Sequence, residues 1–222
     1  MSGRTIKAAA AALVAAVALA GCGGGPLKMG AAALVGDDRI AVSTLDTAVT
    51  DWQREFRADP VANQLRSDPR MQDQRNGSEP LTESDLRDAL DMLVYFRIGD
   101  EVARRNGVTV SQGQIDQIVA ALEQRGGADS LVRSRGLPAR HARDLAKVIG
   151  VETLVAQKYG ASPDPRAAEQ NAGAQRQTAR QFVETAEGMK IRVNPRFGSF
   201  EPAKIAITPV KYTLSATESG IR

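Results

Sequence analysis

Apolar residues recur at helical spacing in six stretches of this chain, and most of those stretches begin or end at residues that start or stop helices. Ser43 with Asp46 forms a capping box, and Leu45, Ala48, Val49, Trp52 and Phe56 follow as the stripe of a first amphipathic helix. Thr82 with Asp85 is a second box. It opens the longest helical pattern, running to about Arg105, in which Leu86, Leu90, Leu93, Val94, Phe96, Ile98 and Val102 occupy more than one face. Such a helix is central and covered on several sides, and Asn106-Gly107 stops it. Ser111 with Gln114 is a third box, followed by Ile115, Ile118, Val119 and Leu122 and closed by Gly126-Gly127. A short helix over 128–135, a helix from Pro138 to about Tyr159, and an Ala- and Gln-rich helix of weak amphipathicity over 167–188 complete the set.

Extended elements frame these helices. Residues 31–35 are wholly apolar, 36–39 are turn residues and 40–42 are apolar again, which reads as two short strands around a reversal. Lys190-Ile191-Arg192-Val193 alternates with period two and predicts another strand. Residues 57–80 carry Pro60, Pro69, Asn76-Gly77 and Pro80 and read as a long, partly mobile loop, with at most a turn near 61–65. Residues 201–222 are polar and rich in breakers and read as a partly ordered tail.

Composition sharpens the fold class. Aromatic residues make up 4% of the chain, so a core must be assembled from Leu, Ile, Val and Ala, which suits helices better than a β-sandwich. The expected class is mainly α: a multi-helix domain with a short N-terminal extended segment pairing with a C-terminal strand. One cysteine allows no intramolecular disulfide, and packing alone must hold the fold.

That cysteine follows an unusual N-terminus. Arg4 and Lys7 precede 13 uncharged residues, 8–20, a length suited to a signal-peptide core and short for a membrane span. Leu19-Ala20-Gly21-Cys22 resembles the lipobox of bacterial lipoproteins. The resemblance implies diacylglycerol, with acyl chains such as palmitate, on Cys22, and cleavage before it. The mature chain would start at Cys22, tethered by 22–30 to the outer face of a bacterial cell membrane, since two or more acyl chains hold a protein stably where one does not. The alternative is an ordinary signal peptide with an incidental cysteine. Loss of residues 1–21 leaves 27 Lys and Arg against 26 Asp and Glu, so the formal charge drops from +3 to +1. The apparent basicity is therefore no nucleic-acid footprint, and no basic stripe with interleaved aromatics occurs.

The order of elements from Ala31 to about Tyr159 resembles the N-terminal domain of the SurA and PrsA family of extracytoplasmic chaperones. The opening Ala33-Leu34-Val35-Gly36-Asp37-Asp38-Arg39-Ile40 is similar to that family's first turn. Glu101-Val102-Ala103-Arg104-Arg105-Asn106-Gly107-Val108-Thr109-Val110-Ser111 is similar to the end of its central helix and the turn that follows. Gly136-Leu137 resembles its next station, and Val193-Asn194-Pro195-Arg196-Phe197-Gly198 its returning C-terminal segment. The division implied is a signal peptide (1–21), a tether (22–30), a SurA-N-like helical domain (31–160), a C-terminal helix with a returning strand (161–200) and the tail. Foldases of this family usually insert a parvulin-type prolyl isomerase of about a hundred residues, within the single-domain range. Only about thirty residues lie between Tyr159 and Met189, so no isomerase is expected.

Candidate chemistry is sparse. His141 is the only histidine and stands among Arg140 and Arg143, where a solvated helix residue is the simpler reading. Glu83, Asp85, Asp88 and Asp91 gather near the start of the central helix, where they suit its dipole. No phosphate loop, nucleophile elbow or metal-ligand spacing is present, so no catalytic residue, cofactor or metal is assigned. Trp52 and Phe56 are the candidate client-binding residues, with burial in the core as the alternative for both. Met71 and Met92 are possible contributors to an adaptable surface, Met92 also suiting the core. The function expected is a membrane-anchored holdase for unfolded or extended secreted polypeptides. The alternatives are a structural or adaptor lipoprotein holding one folded envelope partner and a solute-binding or enzymatic lipoprotein.

Overall fold

In the computed structural model, which describes residues 29–67 and 81–210, five small strands accompany seven helices. The segment 19–22, Met71, the side chains of Thr82 and Glu83, and the tail after 210 lie outside the described residues. Strand β1 (Ala31–Val35) is buried at every position. It is the middle strand of an antiparallel sheet ordered β2-β1-β3. A strand paired on both edges and covered on its faces keeps no solvent side, which is why its sequence is continuously apolar. Gly36, at φ 60°, makes the turn into β2 (Asp38–Ala41). Strand β3 (Ile191–Val193) pairs with β1 through Ala33 with Val193, Leu34 with Arg192 and Val35 with Ile191, so the chain does return to its beginning.

Helix α1 (Val42–Arg57) starts two residues earlier than the Ser43 box predicts, and its N-cap, Ala41, makes no side-chain bond. The reason is tertiary: β2 runs straight into the helix, and the Val42 N–H donates to the Gly30 carbonyl at 2.9 Å instead. The expected long loop is also corrected, because residues Pro60–Ser67 form helix α2. Asp59 Oδ1 accepts the Ala62 N–H at 2.9 Å and Pro60 takes the first helical position, a start signal formed by two adjacent residues.

Helix α3 (Leu81–Asn106) is the central element. Leu90, Val94, Ile98 and Val102 are fully buried at successive helical turns. It ends with the Val108 N–H on the Ala103 carbonyl at 3.0 Å and Gly107 at φ 60°, a Schellman closure. Helix α4 (Gln112–Glu123) carries the predicted capping box in full, with Gln114 N–H on Ser111 Oγ at 3.2 Å and Ser111 N–H on Gln114 Oε1 at 2.8 Å. After α5 (Ala128–Ser134) and a 3-10 turn, α6 (Ala142–Lys158) packs Leu145, Val148, Val151 and Val155 into the core. Each such burial contributes ~1.5–3 kcal/mol of transfer free energy. At Gly99 helix α3 packs tightly on α6: a methyl group there would sit 2.8 Å from Val148 Cγ2.

Helix α7 (Ala168–Gly188) lies against both α3 and α6, with Phe182 and Ala186 buried. Beyond β3, residues 199–208 depart from the expected loose tail. Strands β4 (Ser199–Glu201) and β5 (Ala206–Thr208) form an antiparallel hairpin around a 3-10 turn at Pro202–Lys204. The hairpin docks on α3, where the Ile207 N–H donates to Asp91 Oδ1 at 2.9 Å and Arg87 Nε donates to the Phe197 carbonyl at 3.0 Å.

Candidate functional site

Trp52 and Phe56 do not form an exposed client surface. Trp52 is 3% exposed, and its indole N–H donates to the Arg133 carbonyl at 2.6 Å. Phe56 is half-buried and stacks on Trp52 at 5.1 Å between centroids. Helix α2 closes over the pair, with the Arg66 guanidinium 4.8 Å from the Trp52 ring and 5.4 Å from the Phe56 ring. The same guanidinium reaches Asp88 at 2.9 Å and Asp85 at 3.1 Å. Two of the acidic residues at the start of α3 therefore anchor α2. Asp91, further along, holds the hairpin. Met92 is buried in the core at 8% exposure. His141 Nδ1 lies 2.8 Å from Asp144 Oδ2 on one turn of α6's start, a local pairing.

Beside this cluster, Arg133 clamps α1, α2 and α5. It donates to Asp59 at 2.8 Å and to Glu55 at 3.1 Å, while Ser130 also donates to Asp59 at 2.8 Å. Burial alone would raise the Asp59 carboxyl, but the Ala62 N–H, the Ser130 hydroxyl and Arg133 together hold it below its ordinary value. This arrangement is structural, as every group in it is engaged by another part of the fold.

The open feature lies on the other side of α3. A cleft of about 750 Å³ is walled by α6, α7 and the 3-10 turn of the hairpin. Ala156, Ala179, Phe182, Val183 and Ile205 are among its apolar lining residues, and Tyr95 of α3 and Glu152 of α6 are among its polar ones. The lining explains the weak amphipathicity of α7: small residues such as Ala179 face a recess where a core-facing helix would carry Leu or Ile. The Tyr95 hydroxyl donates to Glu152 Oε1, and the Tyr95 ring stacks on Phe182 at 5.6 Å. Burial first, then the Glu152 carboxylate that accepts its proton, push the Tyr95 phenol well above its ordinary value; Arg135 opposes them weakly. Tyr95 is thus a fixed donor and no proton carrier near neutral pH.

The cleft sits within the range of volumes that hold small molecules or a few side chains. Its residues went unremarked in the sequence because Tyr95 and Glu152 are 57 positions apart and only the crossing of α3 and α6 joins them. Among the described residues, no group of three or more His, Cys, Asp or Glu stands where it could hold a metal ion, and no helix is long and apolar enough to cross a membrane. No protein-family model, curated protein or solved structure matches the chain.

Proposed function

We propose that the protein is an extracytoplasmic lipoprotein, held on the membrane through Cys22, that binds non-native or extended segments of exported polypeptides without chemistry. The observation that carries this reading is the apolar, solvent-open cleft of about 750 Å³ between α6, α7 and the hairpin. Client side chains entering it would leave water, each contributing at most ~1.5–3 kcal/mol before about 0.5–1.5 kcal/mol of ordering cost. One such site binds weakly and releases by dissociation, as a holdase requires. The lipobox-like 19–22 and the SurA-like order of elements support the same reading, with the client site placed at this cleft and not at Trp52 and Phe56.

The test is aggregation. The full chain, reconstituted in nanodiscs at several-fold molar excess, should slow aggregation of an unfolded secreted protein; empty nanodiscs should not. No effect would remove the support for this reading. A second reading, an adaptor holding one folded envelope partner, is favoured by the rest of the surface. Among the described residues only Met29, Val61 and Tyr159 are large, apolar and exposed, which leaves no broad sticky face outside the cleft. Pull-down from membranes separates the two: one stoichiometric folded protein marks the adaptor, and a heterogeneous set of exported chains marks the holdase.

A further inference from the structure

The hydrogen-bonded pair Tyr95 and Glu152 lines the cleft with no cation in direct contact with the carboxylate among the described residues, although the Arg135 charge reaches the Tyr95 phenol. Three half-buried carboxylates elsewhere hold cations: Asp51 holds Arg140, Asp59 holds Arg133 and Glu101 holds Arg104. Glu152, also half-buried, receives only the Tyr95 hydroxyl, and among the described residues no cation forms an ion pair with it. The cation on the cleft's rim, Lys204, is engaged with Glu201 at 2.8 Å. A carboxylate in apolar surroundings loses hydration without a partner to replace it, and any occupant that displaces the remaining water increases that cost. A neutral or anionic occupant leaves the cost standing. A cationic one offsets it, in a setting where attraction is stronger than in bulk water.

We infer that the cleft selects polypeptide segments in which one cationic side chain, arginine above lysine, stands among apolar neighbours, with Glu152 taking the cation. The Tyr95 hydroxyl fixes the carboxylate by occupying Oε1, which leaves Oε2 for the incoming group. Arginine is preferred because its planar guanidinium both hydrogen-bonds a carboxylate and stacks on an aromatic face, and the half-buried Tyr95 ring lines the same cleft. The apolar neighbours of the arginine meet Ala179, Val183 and Ile205.

This inference rests on the reading of the cleft as a polypeptide site, and the experiment keeps the two apart. A blocked, fluorescently labelled decapeptide of leucine and alanine with one central arginine is compared with its citrulline counterpart, which has the same shape and no charge. Both are titrated with the full chain in nanodiscs of zwitterionic lipid, with empty nanodiscs as blank. The arginine peptide should bind about tenfold more tightly. Glu152→Gln should abolish the difference between the two peptides, and a difference that persists in the variant overturns the inference. Equal binding of the two peptides to the wild-type chain overturns the inference and leaves the holdase reading intact. Absence of binding by either overturns both. Should Glu152→Gln not fold, Glu152→Met replaces it: that change keeps the length of the side chain and removes the charge, so the arginine preference must vanish, and its persistence contradicts the assignment.

Discussion

Asp91 Oδ1 accepts the Ile207 N–H at 2.9 Å, so a carboxyl group in the middle of α3 fastens a hairpin 116 residues further along the chain. Burial beneath that hairpin pushes the Asp91 carboxyl up to about 7; the nearby Asp88 adds to the rise and the Ile207 N–H works against it. Docking therefore favours the neutral acid. Its contribution is complete below the unfolded value of about 3.8 and is lost as pH rises through about 7. Asp91→Asn keeps the acceptor and removes the titration. Melting temperatures of the two proteins should diverge between about pH 4 and pH 7, with the wild type falling relative to the variant and the difference constant above that range. Parallel curves would contradict the coupling.

Asp59 titrates with the opposite sign. Its folded carboxyl is held below 3.8, so the stability it supplies is present above that value and lost as pH falls through the folded one. Asp59→Asn should cost about 1–3 kcal/mol near neutral pH, since Arg133 and the start of α2 lose a charged acceptor. The acid-unfolding midpoint, measured by far-ultraviolet dichroism, should also become less steep in pH. A variant as stable as wild type at pH 7 would show the clamp to be dispensable.

Gly99 sets the spacing of α3 and α6, and Gly99→Ala places a methyl group 2.8 Å from Val148 Cγ2. Overpacking costs about 1–3 kcal/mol, and the better helix propensity of alanine returns at most about 1. The urea midpoint should fall. Gly99→Ala combined with Val148→Ala should recover part of the loss, whereas additive losses would place the strain elsewhere.

Trp52 is the position where sequence and structure part most clearly. Its helical spacing placed it on the apolar face of α1, which is where it lies, but spacing alone does not say whether another element covers that face. The cover is α2, built by Asp59-Pro60 inside a stretch whose prolines read as loop. Ser111 with Gln114 was legible because a capping box closes on itself within four residues, and β1 was legible because its five apolar positions exclude a solvent face. Ser43 was misread because β2 runs directly into the helix and the Gly30 carbonyl, a tertiary partner, takes the Val42 N–H at the earlier start. The cleft was illegible for the same kind of reason: Tyr95, Glu152, Ala179 and Ile205 meet only after four elements have packed. Trp52→Phe tests the buried assignment. It removes the donor to Arg133 and strands a carbonyl, which should cost about 1–3 kcal/mol in the urea midpoint. No change would place the indole in solvent.

The central claim is that clients enter the cleft beside α7. Its most direct measurement is photo-crosslinking with benzoylphenylalanine at position 179, on the cleft wall, and at position 46, on the exposed side of α1. The lipidated chain in nanodiscs is irradiated with a reduced, carboxymethylated secreted protein that stays unfolded, and in parallel with the same protein in its native form. The account predicts adducts from position 179 with the unfolded protein alone, suppressed by an excess of the arginine decapeptide. Adducts of equal yield from both positions, or none from 179, would contradict it.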